Sequence, residues 1–452
     1  MSRTDRMRLG LFLYPAGHHV AAWRDPSAWS GMELGHYIEL ARMAEDAAFD
    51  MVFLADFVEV QLESIEAASR KAHNGIFAFE PLTLLAALAG VTSRIGLIAT
   101  ASTSFSDPYN LARQFASLDH MSGGRIGWNV VTSADPGAAF NFGHQQPIRH
   151  ADRYARAEEF VDVVLGLWDS WDEGAFPRDR TKGRYFDPAA MHVLEHRGAH
   201  FSVRGPLNIP RSPQGRPVIV HAGASEPGKA LAARVADLVF AAQPTTEGAV
   251  DFYRDSKARL GAHGRHAGQQ LILPGLCPVI GRTRREAEDR LDRLQKLVDP
   301  AVGLDLLRNL SGGADLSRYP LDGPLPDLAA SETAQGRQAL VNSVAREEGL
   351  SIRDLYLRVA IARGHRCLIG TPQDIADGME EMFVAEGADG FNIMPPTFPE
   401  GLRDFITLVL PELRRRGLVR NPEEGETLRD RLGLSGKREG ENSIKSGSLL
   451  ID

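Results

Sequence analysis

The stretch Gly124-Arg125-Ile126-Gly127-Trp128-Asn129-Val130-Val131-Thr132-Ser133 is the one around which the rest of the chain is organised. A glycine pair turns the chain, and Ile126, Trp128 and Val130 then alternate with Gly127, Asn129 and Val131. Alternation with β-branched and aromatic residues predicts a short buried strand. The strand runs out on Asn129, Thr132 and Ser133, three small hydrogen-bonding side chains. An α/β protein seats its ligand at the carboxyl ends of its strands. The same groups also serve simply to cap a following helix, and these ten residues alone do not choose between the two.

The pattern repeats on both sides of this stretch. Residues 9–14 predict a first strand, which opens into a loop carrying His18, His19, Trp23 and Arg24. Two imidazoles, an indole and a guanidinium read either as a site loop or as polar surface. Residues 33–48 put Leu34, Ile38, Ala41, Ala44 and Ala48 on one helical face. Residues 49–56 are nearly all apolar until Asp56, so strand two is buried on both faces. A carboxylate at such a tip needs hydrogen bonds from loop amides or from a ligand. A helix over 81–91, a strand over 95–100 running into Ser102 and Thr103, and a helix over 108–121 lead to the opening stretch. Strand–helix pairs at this rhythm predict parallel βα units.

Beyond Ser133 a loop holding Asn141-Phe142-Gly143 leads to a helix that starts at His150 and ends near Trp171. His150 and Tyr154, four apart, share a face with Arg153 beside them; they suit an anion at a helix start, or a surface His and a half-buried Tyr. Residues 168–208 are a Gly-, Pro-, Arg- and Asp-rich excursion. Residues 217–225 predict strand five, whose Gly223, Ala224 and Ser225 leave backbone N–H groups open before the next helix, a geometry that cradles phosphate. Strands six and seven fall at 237–241 and 272–280, and strand eight at 390–394. Between seven and eight, residues 282–365 read as an insertion with a helix over 283–297 capped by Thr283 and Glu286, a turn-rich run, and two helical stretches over 337–363. Helices over 373–386 and 402–416 flank strand eight. Eight such strands predict an α/β fold, a (β/α)8 barrel, as one domain over 1–436, with a disordered tail over 437–452. Asp56, Ser102, Thr103, Asn129, Thr132, Ser133 and Ser225 would then converge on one rim.

Composition narrows the function. The chain has 452 residues, 43% apolar and 24% charged, as an ordinary globular protein does. A net charge of −8 argues against nucleic acid as partner. Cys277 and Cys367 give neither a disulfide framework nor a metal spacing, so no metal and a reducing cytoplasm are expected. Both fit better as core fillers than as reactive thiols. No apolar run reaches eighteen residues, so no membrane span is expected.

The sequence resembles the bacterial luciferase-like flavin monooxygenases. Within them it is similar to the branch of nitrilotriacetate monooxygenase, EDTA monooxygenase, dibenzothiophene-sulfone monooxygenase and pristinamycin synthase. The resemblance rests on residues 127–133, Asn141-Phe142-Gly143, His150 with Asp152-Arg153-Tyr154, residues 278–283 and 319–326, Asp389-Gly390-Phe391-Asn392, and Thr427-Leu428-Arg429 with Leu432-Gly433-Leu434. It covers about residues 8 to 434. Two departures stand out: Glu423-Glu424 before Gly425, where relatives carry an aromatic, and Met382 where many carry Trp.

The resemblance implies a cytoplasmic homodimer or homotetramer that takes reduced FMN from a separate NAD(P)H:flavin reductase, with O₂ as co-substrate. A flavin C4a-peroxide would pass one oxygen to a small organic substrate, a C–N, C–S or sulfone compound. It implies flavin contacts at Asp56, Ser102 or Thr103, Asn129, His150, Tyr154 and Ser225. Tyr154, His150 and Ser225 with Gly223 and Ala224 would hold the phosphate; Asp56, Ser102 and Asn129 would meet the ring or ribityl chain. The insertion would act as a lid against water. His18, His19, Trp23 and Arg24 are expected on the substrate side, His exchanging protons and Arg holding a carboxylate or sulfonate. Two other readings remain: a deazaflavin-dependent hydride-transfer oxidoreductase on the same barrel, and a non-catalytic flavin-binding protein.

Overall fold

Eight parallel strands close into a ring in the computed structural model, which describes residues 5–72, 78–133, 136–146, 148–311, 313–327, 345, 348–419 and 427–434. They are β1 (Arg8–Phe12), β2 (Met51–Leu54), β3 (Gly96–Ser102), β4 (Ile126–Val131), β5 (Val218–His221), β6 (Leu238–Ala241), β7 (Leu271–Ile280) and, past β8 (Arg366–Gly370), β9 (Gly390–Ile393). The helices α1 (Leu34–Asp46), α2 (Pro81–Ala89), α3 (Pro108–Ser122), α4 (His150–Trp168) and α5 (Glu226–Val235) follow the first five strands in turn. Gly10 lies opposite Asn392 and Leu11 opposite Ile393, which joins the last strand to the first. The expected (β/α)8 barrel is the fold observed.

Register decides which side chains look inward. Gly10 and Phe12 pair with Met51 and Phe53, Phe53 with Ile98, and Thr100 with Asn129. Neighbours in register share a face, so Phe12, Phe53, Thr100 and Asn129 belong to one side of the sheet. Trp128 takes the other. Its ring meets Phe115, Phe160 and Trp168 at 5.8, 5.9 and 6.2 Å between centroids. Those three sit on α3 and α4, so Trp128 holds the outer helices to the sheet. That leaves Asn129 facing the interior. Gly123, at φ +67°, ends α3 and starts the turn into β4; an L side chain there would be strained.

Some elements differ from expectation. β8 was not foreseen; it pairs with the far half of β7, Arg366 opposite Leu276 through Gly370 opposite Ile280. The near half of β7, Leu271 to Pro274, pairs with β6, and Gly275 and Leu276 pair with β9. Ten residues of strand let β7 serve three neighbours, so β8 lies outside the ring. A second unforeseen element, α6 (Thr246–Arg259), carries mostly polar residues and its apolar stripe is short. The excursion over 168–208 holds a two-residue antiparallel pair, His196–Arg197 with Ser202–Val203. The helix expected to end near Trp171 stops at Trp168.

The insertion builds its own apolar cluster. α7 (Arg284–Lys296) packs on β7 and β8. α8 (Pro300–Leu310) and α9 (Ile352–Ala362) pack on each other through Val302, Leu306, Leu307, Leu355, Tyr356 and Val359, and Val20 and Ala21 of the first loop join them. At Gly303 a Cβ would come within 2.5 Å of the Tyr356 ring, so only glycine lets α8 approach. Much of the expected helical run over 337–363, Glu423-Glu424 and the tail over 437–452 lie outside the described residues. Met382 is buried in the main core on α10 (Pro372–Val384). Among the described residues no helix is long and apolar enough to cross a membrane.

Candidate active site

The carboxyl ends of β3 and β4 carry a connected set of polar groups. Asn129 Nδ2 donates to Thr100 Oγ1 at 2.8 Å, and Thr100 Oγ1 donates to the Leu54 carbonyl at 2.8 Å. Asn129 is buried, and its Oδ1 has no hydrogen-bond partner among the described residues. An orphaned acceptor inside a barrel costs free energy unless something donates to it. Further along the same two strands, Ser133 Oγ donates to Ser102 Oγ at 2.7 Å, and Ser104 Oγ to the Thr132 carbonyl at 2.7 Å. Thr103 donates through both N–H and Oγ1 to the Val131 carbonyl. Ser133 stands at φ +31°, a strained backbone at the rim.

A second group gathers where β5 turns into α5. Ser225 caps the helix, its Oγ accepting from Gly228 N at 3.3 Å. The Ser225 and Tyr154 hydroxyls lie 3.2 Å apart, and the Tyr154 ring lies 4.9 Å from that of His150. At Gly228 a Cβ would come 2.9 Å from the Tyr154 hydroxyl and 3.0 Å from the Gly223 Cα. Gly223 and Gly228 therefore let the turn into α5 pack closely beneath the Tyr154 hydroxyl. Ser225 is exposed, so the cradle opens to solvent. Two hydroxyls at a helix N-terminus together suit a phosphate. Asp56, past the end of β2, is half-buried; its desolvation, with the Glu80 carboxylate nearby, pushes its carboxyl up to about 6.

The opposite side of the mouth is aromatic and cationic. Phe12, Phe53 and Phe240 contact one another at 4.9 to 5.7 Å between centroids. His365 stacks on Phe240 at 5.0 Å, and His18 packs on Phe12 at 4.7 Å. Arg363, in the left-handed conformation that ends α9, donates to the Tyr14 hydroxyl at 3.2 Å and to His18 Nδ1 at 2.8 Å. His18 Nε2 lies 2.8 Å from the Phe12 carbonyl. A carbonyl only accepts and a guanidinium only donates, so the tautomer is fixed: Nε2 carries the proton and Nδ1 a lone pair. Burial first, then the Arg363 charge, hold the His18 ring well below its usual range. A ring held this way gains no proton near neutral pH. What it can do is orient Arg363.

The remaining loop residues go elsewhere. His19 is buried, its Nδ1 accepting from Ala21 N, and burial pushes it down to about 3. Trp23 donates to the Arg70 carbonyl and exposed Arg24 to the Leu297 carbonyl. Of the four residues expected on the substrate side, only His18 joins the aromatic wall through these contacts. Sequence reasoning missed Tyr14, Thr100, Phe240, Arg363 and His365. Tyr14 carried a signal as the last residue of a strand run. Arg363 carried none, since it meets Tyr14 across 349 positions of chain.

Residues 7–390 match the family model described as luciferase-like monooxygenase, and the chain belongs to that family. It is a flavin-dependent monooxygenase, and the likeness runs well past the barrel. The chain is 49% identical to N-acetyl-S-(2-succino)cysteine monooxygenase of Bacillus subtilis (strain 168), over 96% of this chain and 98% of that one. It is 47% identical to nitrilotriacetate monooxygenase component A of Aminobacter aminovorans, over the same shares. A crystal structure of riboflavin lyase with modified FMN and riboflavin superposes with a TM-score of 0.83 at 32% identity, covering 95% of this chain and 96% of that one.

Proposed function

We propose that this protein is the oxygenase component of a two-component system. It takes reduced FMN from a separate NAD(P)H:flavin reductase and transfers one oxygen of O₂ to a small organic substrate at a C–N or C–S centre. The observation that carries the reading is the pairing, on one rim, of the Tyr154–Ser225 hydroxyl cradle with the orphaned Asn129 Oδ1. The cradle suits the flavin phosphate, and Asn129 Oδ1 suits a ring or ribityl donor. Reduced flavin, when bound, supplies the electrons that activate O₂.

The chain's own residues do the rest. Tyr154, Ser225 and the amides around Gly223 anchor the phosphate end, with His150 at the exposed edge. Asn129, Ser102 and Asp56 orient the other end. Phe12, Phe53 and Phe240 make a dry floor, which keeps water from competing with substrate. The insertion is tied to the first loop through Val20 and Ala21, which supports a role for it as the cover over that floor. Names of similar proteins support the bond type: one is named for N-acetyl-S-(2-succino)cysteine and one for nitrilotriacetate, a C–S and a C–N compound. Relatives at this identity that are named monooxygenases argue against the deazaflavin and carrier readings.

The test supplies reduced FMN in two ways, photochemically and through an added reductase. Both are expected to drive O₂ uptake and substrate oxidation, while NAD(P)H and FMN alone leave the protein silent. NAD(P)H oxidation by the purified protein without a reductase contradicts the two-component reading.

A further inference from the structure

We infer that Arg363 is the receptor for a carboxylate of the substrate, so that the substrate class is small organic acids carrying the oxidisable C–N or C–S bond. The inference rests on the monooxygenase reading and names what occupies the far side of its mouth. The mouth is divided. Hydroxyl and amide groups cluster past β3, β4 and β5, whereas the side past β1 and β6 is built of rings around one guanidinium. The Arg363 Cζ lies 5.0 Å from the Tyr14 ring centroid and 6.0 Å from that of Phe12. Tyr14 and His18 accept from Nη1 and Nη2, so the guanidinium is held in one orientation. Both of those partners are neutral: the Tyr14 phenol is pushed up by burial, and His18 is fixed in its neutral tautomer.

A planar cation fixed against aromatic rings recognises a carboxylate by two parallel N–H···O bonds, and a low-dielectric wall strengthens the contact. Arg363 is half-buried, not sealed in the core. It comes from the insertion, at the end of α9, so the same segment that covers the site also carries the receptor. The guanidinium expected from the sequence, Arg24, is exposed and bonded to the Leu297 carbonyl, so Arg363 takes the role assigned to it.

The experiment measures calorimetric binding of three probes to the FMN-saturated protein: nitrilotriacetate, N-acetyl-S-(2-succino)cysteine and the neutral dibenzothiophene sulfone. The wild type is expected to bind at least one of the acids and not the sulfone. Arg363→Met should weaken acid binding at least tenfold, and Arg363→Lys should keep part of it. FMN uptake, read from fluorescence, should be the same in all three proteins. Acid binding that survives Arg363→Met, a wild type that binds neither acid, or preference for the sulfone overturns the inference. If Arg363 is only a clamp between α9 and the first loop, Arg363→Met lowers the melting temperature with acid binding intact, which also overturns it. A wild type that takes up no flavin sinks the monooxygenase reading instead, so the two failures are distinguishable.

Discussion

Asp56 shows what a single side chain contributes at this rim. Its carboxyl is raised from the ordinary 3.8 to about 6, first by burial and then by Glu80. A raised folded value means that the native state holds the proton longer than the unfolded chain does. Stability tied to this group is therefore full below about pH 4 and is lost as pH rises through 6. Asp56→Asn should stabilise the flavin-free protein at pH 7.5 by about 2 kcal/mol, the gain shrinking towards zero near pH 4. Urea unfolding at several pH values reads this directly; an equal gain at all pH values contradicts the burial argument. Asp56 was legible because a carboxylate closing an apolar strand is conspicuous. His18 was legible as a polar residue in a strand-end loop, but its role was not. The neutral tautomer depends on Arg363, and no local pattern foretells a contact across 345 positions.

At the level of elements, the insertion is tied to the barrel by buried charge as well as by apolar packing. Lys71 Nζ lies 2.6 Å from Asp305 Oδ2, with both side chains almost wholly buried. Lys71 follows the loop after β2 and Asp305 lies on α8. Nearby, Arg70 pairs with Asp299, and Asn309 donates to Gln61 Oε1 at 3.2 Å. Removing one partner of a buried pair strands the other charge. Lys71→Met should cost about 3–5 kcal/mol, and adding Asp305→Leu should recover much of it. Thermal melts of the four proteins in the cycle check this; equal losses in the single and double variants contradict the pairing. Elements with a clear period were legible: the helix capped by Thr283 begins at Arg284, as the capping pattern predicts. β8 was not, because Arg366 and Gly370 bracket a three-residue apolar run that reads as the approach to a helix. α6 was not, because its polar surface outweighs its few buried residues.

Across the whole molecule the chain closes on itself at both ends of the barrel. On the amino side, Leu428 N donates to the Gly124 carbonyl, and Arg429 pairs with Asp237 at 2.8 Å. The glycine turn that starts β4 is thus also where the last described segment docks. On the carboxyl side, groups from β2 to the start of α5 share the mouth with Arg363 and His365. The barrel was legible because eight strands share one rhythm, and a barrel sends every strand's carboxyl end to one face. The division of the mouth was not legible, since it arises from side chains that meet only after closure. We propose that this rim holds reduced FMN through Tyr154 and Ser225 at the phosphate end and Asn129 beyond it. Anaerobic titration with FMNH₂ reads that binding. The wild type is expected to take up one equivalent, Tyr154→Phe with Ser225→Ala to bind at least tenfold more weakly, and riboflavin, which lacks the phosphate, to distinguish little between the two proteins. Absence of uptake by the wild type, or equal FMNH₂ affinity in both proteins, contradicts it.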